Sequence, residues 1–491
     1  MATEPDDRTE ETLDPENWDE FRQLGHRMLD DMIDHLQHVR QGKVWQPAPD
    51  DVRRRFLEPL PQDGQAAEIT YESFQSDILP YNMGNVHPRF WGWVMGNGTP
   101  LGMLADMLAS GLNPNLGGGD TAPAAVETQV INWCKQMVDF PDGASGLLVS
   151  GGSMANLVGL AVARTAKAGY DVRQQGLLAG GAQLTFYGSS EMHSSLHKAV
   201  ELMGMGSDSL RRIPVDDDYR IDLAALEAQI KADMDVGLKP IGLIGCAGTV
   251  NGGAVDPLEA LADLAARYDL WYHVDGAFGA LAYLDESAKP RLKGMERADS
   301  IAFDLHKWVY LPFEIGCVLV RDAEAHYRTF AANPDYLEHA AGGLAGAKLW
   351  YGDYGVQLTR GFRALKAWMA FKTYGTRKIG RMIGKNLQQA RYLAKLVEAE
   401  PSLELLSPVD LNIVCFRFTA PGFEGDRLDQ LNQTLLIRLQ ESGVAVPSST
   451  VMRGKFALRC AITNHRTRFE DFDRLVEAVL EIGAQTAADL G

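Results

Sequence analysis

The sequence predicts an α/β fold: a mainly parallel sheet covered by helices, preceded by a helical segment and followed by a smaller α+β domain. Three observations carry this. Between about residues 82 and 382, short apolar runs alternate with amphipathic stretches, as strands and helices do in a parallel sheet. Several of those runs end in residues with chemical capacity, and ligands of such sheets lie beyond the carboxyl ends of the strands. After about residue 383 the texture changes to widely spaced helices and strands.

Residues 1–14 are acidic and carry no periodic pattern. From Pro15 to Gln41 a helix is expected, because Trp18, Phe21, Met28, Met32, Leu36 and Val39 recur at near-helical spacing and Gly42 supplies a stop. So narrow an apolar stripe calls for a docking surface, and a second subunit would supply one. Pro47, Pro49, Pro59, Pro61 and Pro80 punctuate the connector that follows. Buried strands are expected at 147–149, 185–187, 241–246, 270–274, 300–303 and 315–320. Helices are expected near 154–167, 194–203, 222–232, 257–268 and 361–374. Asp256-Pro257 reads as a helix start, a capping carboxylate followed by proline at the first helical position. A helix over 385–399, strands over 411–418 and 456–462, a helix over 427–443 and a terminal helix make up the small domain. The expected division is therefore 1–81, 82–382 and 383–491.

The 491 residues fit about three units at roughly 150 residues each. A hydrophobic fraction of 46% and a charged fraction of 23% are those of an ordinary globular protein. Lys plus Arg number 47 against 65 Asp plus Glu, a net charge of −18, which disfavours nucleic acid and anionic membrane as partners. The cysteines, Cys134, Cys246, Cys317, Cys415 and Cys460, are scattered without a CxxC pair, so neither a disulfide frame nor a metal site is expected. The N-terminus lacks the order of a signal peptide, and no apolar run approaches the ~20 residues that span a bilayer. A soluble cytoplasmic protein is the expectation.

The chemistry begins at Phe303-Asp304-Leu305-His306-Lys307-Trp308, where a lysine follows a strand end. A lysine amine held away from bulk water can form a Schiff base with an aldehyde. Asp275 ends another strand in Trp271-Tyr272-His273-Val274-Asp275-Gly276-Ala277. A carboxylate there can keep a pyridine nitrogen protonated, and Ala277 can set a methyl group against one ring face. Ser150-Gly151-Gly152-Ser153 follows a strand and opens a helix, an arrangement suited to phosphate through free backbone N–H groups and the Ser153 hydroxyl. His193, after the next strand, can stack on a ring and offer a proton. Thr249 ends the following strand within reach of a ring substituent. Each signal alone is weak. Together, at successive strand ends, they point to pyridoxal phosphate.

The chain resembles the pyridoxal-phosphate-dependent group II amino-acid decarboxylases, from about residue 15 to the end. The resemblance is carried by His87-Pro88-Arg89-Phe90, Leu104-Ala105-Asp106-Met107-Leu108, Pro123-Ala124 with Glu127, His193-Ser194-Ser195, His273-Val274-Asp275-Gly276-Ala277 and His306-Lys307-Trp308. It implies the aspartate-aminotransferase-like fold, fold type I, and a homodimer with shared active sites. It also implies Lys307 as the Schiff-base lysine, Asp275 as the partner of the pyridine nitrogen, and His193 as the stacking base. Ala277 would lie on the opposite ring face and Thr249 near the ring substituents. Gly151, Gly152 and Ser153 would form the phosphate loop, with His306 close by. Asp304 stands where animal aromatic decarboxylases have asparagine, and is expected outside the phosphate shell because its charge would repel the anion. The glycine-rich stretch 333–355 resembles the catalytic loop that in this family closes over the neighbouring subunit's site, with Tyr351 where decarboxylases keep a tyrosine that helps reprotonate the substrate carbon.

His87, Phe90, Trp91 and Trp93 align with the pocket-lining stretch of aromatic decarboxylases, so an aromatic amino acid is the expected substrate, decarboxylated to amine and carbon dioxide. Two alternatives stay open. Arg89 would suit an acidic side chain, pointing to a glutamate- or aspartate-like substrate. Arg459 would suit the α-carboxylate in another fold-type-I enzyme such as an aminotransferase.

Overall fold

In the computed structural model, residues 12–332, 342–347 and 349–491 are described. They group into two compact units: one of residues through Gly42 with Gln46–Met83, the other of Lys43–Trp45 with Gly84–Gly491.

The first unit is helical. Its leading helix, Trp18–His38, starts where the Asn17 side chain accepts hydrogen bonds from the Asp19 and Glu20 backbone N–H groups, with both acids in the first turn. Asp31 on this helix accepts from Tyr71 Oη (2.8 Å) and Gln75 Nε2 (2.7 Å), which ties the helix to the segment Ala67–Ile78. Trp18, Phe21 and Met28 of the apolar stripe are exposed.

The second unit holds two sheets. The strands in chain order are β1 (Phe90–Trp91), β2 (Ser145–Val149), β3 (Leu184–Ser189), β4 (Leu210–Ile213), β5 (Lys239–Cys246) and β6 (Trp271–Asp275). They continue as β7 (Ser300–Asp304), β8 (Gly316–Val320), β9 (Leu403–Leu405), β10 (Ile413–Phe418), β11 (Val446–Met452) and β12 (Lys455–Ala461). The large sheet has the order β2-β8-β7-β6-β5-β3-β4, with β4, β3, β5, β6 and β7 mutually parallel. β8 alone runs against its neighbours β7 and β2. β2, β3, β6, β7 and β8 are buried almost throughout, which is why they read as continuous apolar runs and not as alternating ones.

The small sheet, β1-β11-β12-β10-β9, contains a strand from far upstream in the chain. β1 pairs in parallel with β11, setting Phe90 beside Val446 and Trp91 beside Pro447. Alternation then sends the two aromatics to opposite faces. Phe90 packs with Val44 and Val446. Trp91 enters the small-sheet core, stacked on Phe472 at 4.8 Å, with its indole N–H donating to Thr467 Oγ1.

Three sequence expectations change here. The helices expected at 361–374 and 385–399 form one run, Ala364–Ala399, interrupted where Gly375 takes φ +69°. An expected boundary at 383 therefore falls inside a helix. Strands β4, β9 and β11 had no apolar run to announce them; β11 (Val-Pro-Ser-Ser-Thr-Val-Met) exists because β1 and β12 pair with it from both sides. Asp256 does not cap the helix after it. Its buried carboxylate accepts from the backbone N–H of Ile221 and of Cys246, both at 2.8 Å, and helix Leu258–Arg267 begins without a side-chain cap.

All five cysteines are buried free thiols. Among the described residues no helix is long and apolar enough to cross a membrane.

Two predictions follow from burial. Arg360 is 2% exposed and donates to Glu127 Oε1 (2.5 Å), Leu116 O (2.9 Å) and Leu148 O (2.6 Å), fastening the segment after the glycine-rich stretch to β2 and to helix Ala122–Met137. Arg360→Met strands a buried carboxylate, and urea unfolding is expected to show a loss of about 3–5 kcal/mol. Secondly, burial pushes His273 down to about 3, and His326 and His465 down to about 4. These imidazoles stay neutral in the fold while the unfolded chain takes up protons near pH 6.5. Stability is then full above pH 6.5 and falls as pH drops toward 4, by up to ~1.4 kcal/mol per pH unit for each imidazole. Asp256, pushed up to about 6 by burial, acts in the opposite sense over the lower part of that range. The net expectation is a falling urea midpoint from pH 6.5 to 4.5; a rising midpoint contradicts it.

Candidate active site

A cavity of about 310 Å³ opens at the carboxyl ends of β2, β3, β6 and β7. This is where a parallel sheet concentrates its loops, and the size lies near the lower end of the roughly 300–1,000 Å³ usual for ligand pockets. Four chain segments converge on it. Ser150, Gly151, Gly152 and Ser153 come from the turn after β2. His193 and Ser195 follow β3, Asp275 and Ala277 end β6, and Asp304, His306 and Lys307 end β7.

The glycine turn leads into helix Gly152–Lys167, whose first N–H groups have no side-chain cap. Space there is tight: a Cβ on Gly152 would come 3.0 Å from Asp304 Oδ2 and 3.3 Å from the Ala277 methyl, so a side chain would require its neighbours to shift. Free N–H groups at the start of a sixteen-residue helix, with Ser153 beside them, suit a phosphate.

Lys307 Nζ lies 3.0 Å from Asp304 Oδ2. Asp304 is 1% exposed, and its other oxygen, Oδ1, has no hydrogen-bond partner among the described residues. The carboxylate expected to stand apart from the phosphate loop instead lines the same cavity. The reason is local: Asp304 is the last residue of β7, beside Gly316 and the glycine turn, and cannot turn outward. His306 Nε2 is 3.8 Å from Asp304 Oδ2; burial lowers its pKa, which Asp304 partly opposes.

Asp275 is 5% exposed. Its Oδ1 accepts from the Ala277 backbone N–H (3.1 Å) and its Oδ2 from Asn156 Nδ2 (3.1 Å). His193 precedes helix Ser194–Leu202, and its Nδ1 accepts from the Ser195 backbone N–H at 3.1 Å, with Ser195 Oγ at 2.8 Å. Removal from bulk water lowers the pKa of this imidazole, and neighbouring Lys307 lowers it further against the pull of Asp275.

Other expected residues do not reach the cavity. Thr249 is buried, and its Oγ1 accepts from Ala254 N at 3.0 Å within its own turn. Tyr351 is buried, with its hydroxyl 2.7 Å from Thr128 Oγ1 and its ring under the Arg360 guanidinium at 5.2 Å. Of the expected loop 333–355, residues 333–341 and 348 lie outside the described ones. Phe90 and Trp91 are core residues, as above. His87 is buried, its Nδ1 accepting from Arg89 N, and only Trp93 is exposed, at φ +51°. None of these four residues lines this cavity. Arg89 donates to Val444 O and pairs with Asp471, while Arg459 donates to the Asn251 and Val250 carbonyls. Neither arginine lines the cavity.

Sequence reasoning passed over Asn156, Ser195 and Glu314, which line the cavity too. Asn156 had a signal: it is the one amide in the apolar stretch 154–163, four residues after Gly152 and so on the same helix face.

The residues present fit pyridoxal phosphate. A lysine amine, a nearly dry carboxylate already hydrogen-bonded from behind, an imidazole, a methyl group and a glycine-lined helix start share one cavity. The unpartnered Asp304 oxygen is the single misfit, a negative charge beside the phosphate position.

Comparison with known proteins agrees with this geometry. Residues 49–419 match the family model of the pyridoxal-dependent decarboxylase conserved domain. The chain is 33% identical to an aromatic-L-amino-acid decarboxylase of Bacillus atrophaeus, covering 96% of each chain. It is 31% identical to tyrosine decarboxylase 4 of Petroselinum crispum, over 92% of this chain and 90% of the relative. Among solved structures, Oryza sativa TDC with PLP and tryptamine superposes with a TM-score of 0.89 at 28% identity, covering 96% of this chain and 99% of that one.

Asp304→Asn removes the misplaced charge. Calorimetric titration with inorganic phosphate is expected to show affinity rising about 10-fold; an unchanged affinity would put the phosphate out of reach of Asp304.

Proposed function

Since the chain belongs to the pyridoxal-dependent decarboxylase family and is a pyridoxal-phosphate-dependent amino-acid decarboxylase, we propose that its substrate is an aromatic L-amino acid, released as amine and carbon dioxide. The observation that carries the site assignment is the convergence of Lys307, Asp275 and His193 on one cavity at the strand ends. The substrate class is supported by the aromatic-L-amino-acid and tyrosine decarboxylases that the chain resembles over most of its length, and by the engagement of Arg89 elsewhere.

In this reading the Lys307 amine would hold the cofactor aldehyde, and Asp304 Oδ2 lies 3.0 Å from it. Pyridoxal phosphate, when bound, supplies the electron sink that stabilises negative charge at the substrate α-carbon. Asp275 would pair with the pyridine nitrogen, its carboxylate held in place by Asn156 Nδ2 and the Ala277 N–H. His193 and Ala277 enclose the ring between them. Gly151, Gly152, Ser153 and the helix start hold the phosphate, with His306 beside them. His193 or Tyr351 would return a proton to the α-carbon, and the Tyr351 hydroxyl lies 2.7 Å from Thr128 Oγ1 in its own chain. Thr249 would lie near the ring substituents.

We also read the enzyme as a homodimer in the cytoplasm. Met107, Leu108 and Leu112 on helix Pro100–Leu112, and Trp18 and Phe21 on the leading helix, are exposed apolar residues of the kind a second subunit covers. Five buried thiols accord with a reducing compartment.

The test is a product assay: protein supplied with pyridoxal phosphate is given the common amino acids and dopa, and amine and carbon dioxide are quantified. Equal amounts of both from an aromatic substrate, absent in Lys307→Ala, are expected. Turnover of glutamate or aspartate alone would overturn the substrate class. An aldehyde in place of the amine would overturn the product.

A further inference from the structure

Behind the cavity, six buried side chains form a hydrogen-bonded chain whose direction is set by its ends. Trp271 Nε1 lies 2.8 Å from Ser300 Oγ, and an indole N–H only donates. Ser300 is left to give its hydroxyl proton to His273 Nδ1, also at 2.8 Å. The proton of this neutral imidazole then sits on Nε2, which donates to Asn156 Oδ1 at 2.9 Å. The Asn156 amide nitrogen carries two protons and has two acceptors, Asp275 Oδ2 at 3.1 Å and Ser195 Oγ at 3.2 Å. Ser195, having accepted, donates its own proton to His193 Nδ1 at 2.8 Å. Trp271, Ser300, His273, Asn156, Ser195 and Asp275 are each 5% exposed or less. Bulk water therefore cannot substitute for a lost link, and a reversed link would leave two donors or two acceptors facing each other.

We infer that Asn156 is a positioning residue that serves both reactive groups through one amide, holding the Asp275 carboxylate by Oδ2 and orienting the Ser195 hydroxyl toward His193 Nδ1, which the Ser195 backbone N–H already keeps as an acceptor. This rests on the reading that Asp275 and His193 face the cofactor. The amide orientation is forced, because Asp275 can only accept, so Nδ2 must face it. His273 is the brace of the arrangement: pushed down to about 3 by burial, it keeps a single proton throughout the working range. Gly159, three residues along the helix from Asn156, makes room for it. A Cβ there would lie 2.8 Å from His273 Cε1 and 2.9 Å from Nδ1, so glycine at this position is part of the same device.

Two consequences separate this role from plain packing. The wall of the cavity presents the protonated nitrogen of His193, a donor, and not its lone pair. The hold on Asp275 and the hydroxyl hydrogen bond at His193 Nδ1 also change together when Asn156 is altered, yet separately when Ser195 is altered.

The test uses the enzyme loaded with pyridoxal phosphate and labelled with ¹⁵N-histidine. The His193 signal is assigned by its loss in His193→Gln. In the parent protein His193 is expected to carry its proton on Nε2 alone. Asn156→Leu is expected to give a shifted His193 Nδ1 resonance, a shifted absorption band of the bound cofactor, and kcat lower by about 10-fold or more with KM changed much less. Ser195→Ala is expected to move the His193 signal and leave the cofactor band in place. If Asn156→Leu fails to fold, Asn156→Asp, of the same shape, replaces an amide donor by a carboxylate and is expected to move both signals. An Asn156 variant whose His193 resonance and cofactor band match the parent overturns the inference. A parent protein that shows no bound-cofactor absorption overturns the underlying reading of the site instead.

Discussion

Asp275 holds a carboxylate with 5% of its surface left to water, at the end of a strand buried from end to end, and much of the large sheet's polar interior exists to satisfy it. A charge so placed costs several kcal/mol unless donors reach it, and two do: the Ala277 N–H from the turn ahead and the Asn156 amide from the helix behind. The second donor needs a partner of its own, which draws His273, Ser300 and Trp271 into the line. That line in turn requires Gly159 on the helix face. A single functional carboxylate thus accounts for most of the polar groups buried between helix Gly152–Lys167 and strands β6 and β7.

The same helix does two jobs at different depths. Its first turn presents N–H groups to the cavity, and its second turn presents Asn156 to Asp275. The spacing between the glycine turn and the Asn156–Asp275 hydrogen bond is then set by one turn of helix, about 5.4 Å of rise, and not by a loop. A site whose two ends hang on one rigid element keeps its spacing through thermal motion. Asp304 is the counterweight. It sits beside that helix start with one oxygen unpartnered and the other 3.0 Å from Lys307, so the lysine lies against a carboxylate inside the cavity.

The aromatic stretch around Phe90 and the tyrosine of the glycine-rich segment show how packing redirects side chains that look chemical. Phe90 and Trp91 are adjacent in a strand, so they face opposite ways, and each face happens to be a core. Tyr351 lies where Arg360 and Thr128 receive its ring and hydroxyl, and the same arginine neutralises Glu127. Among their neighbours, Val446, Phe472 and Thr128 lie more than 200 positions away in the chain, and no local pattern encodes those contacts.

The sequence by itself determined the strands of the large sheet apart from edge strand β4, because strands buried on both faces leave unbroken apolar runs. It also determined the residues at the ends of those strands, since strand ends are where a parallel sheet meets its ligand. Lys307, Asp275, His193, Ala277 and the glycine turn were legible for that reason. Strand β11, the joining of β1 to the small sheet, the inward placement of Asp304 and the link from Asn156 to Asp275 were decided only by the tertiary structure. Each depends on a partner distant in the chain, and hydrogen bonds and close packing across such distances leave no period in the residues themselves.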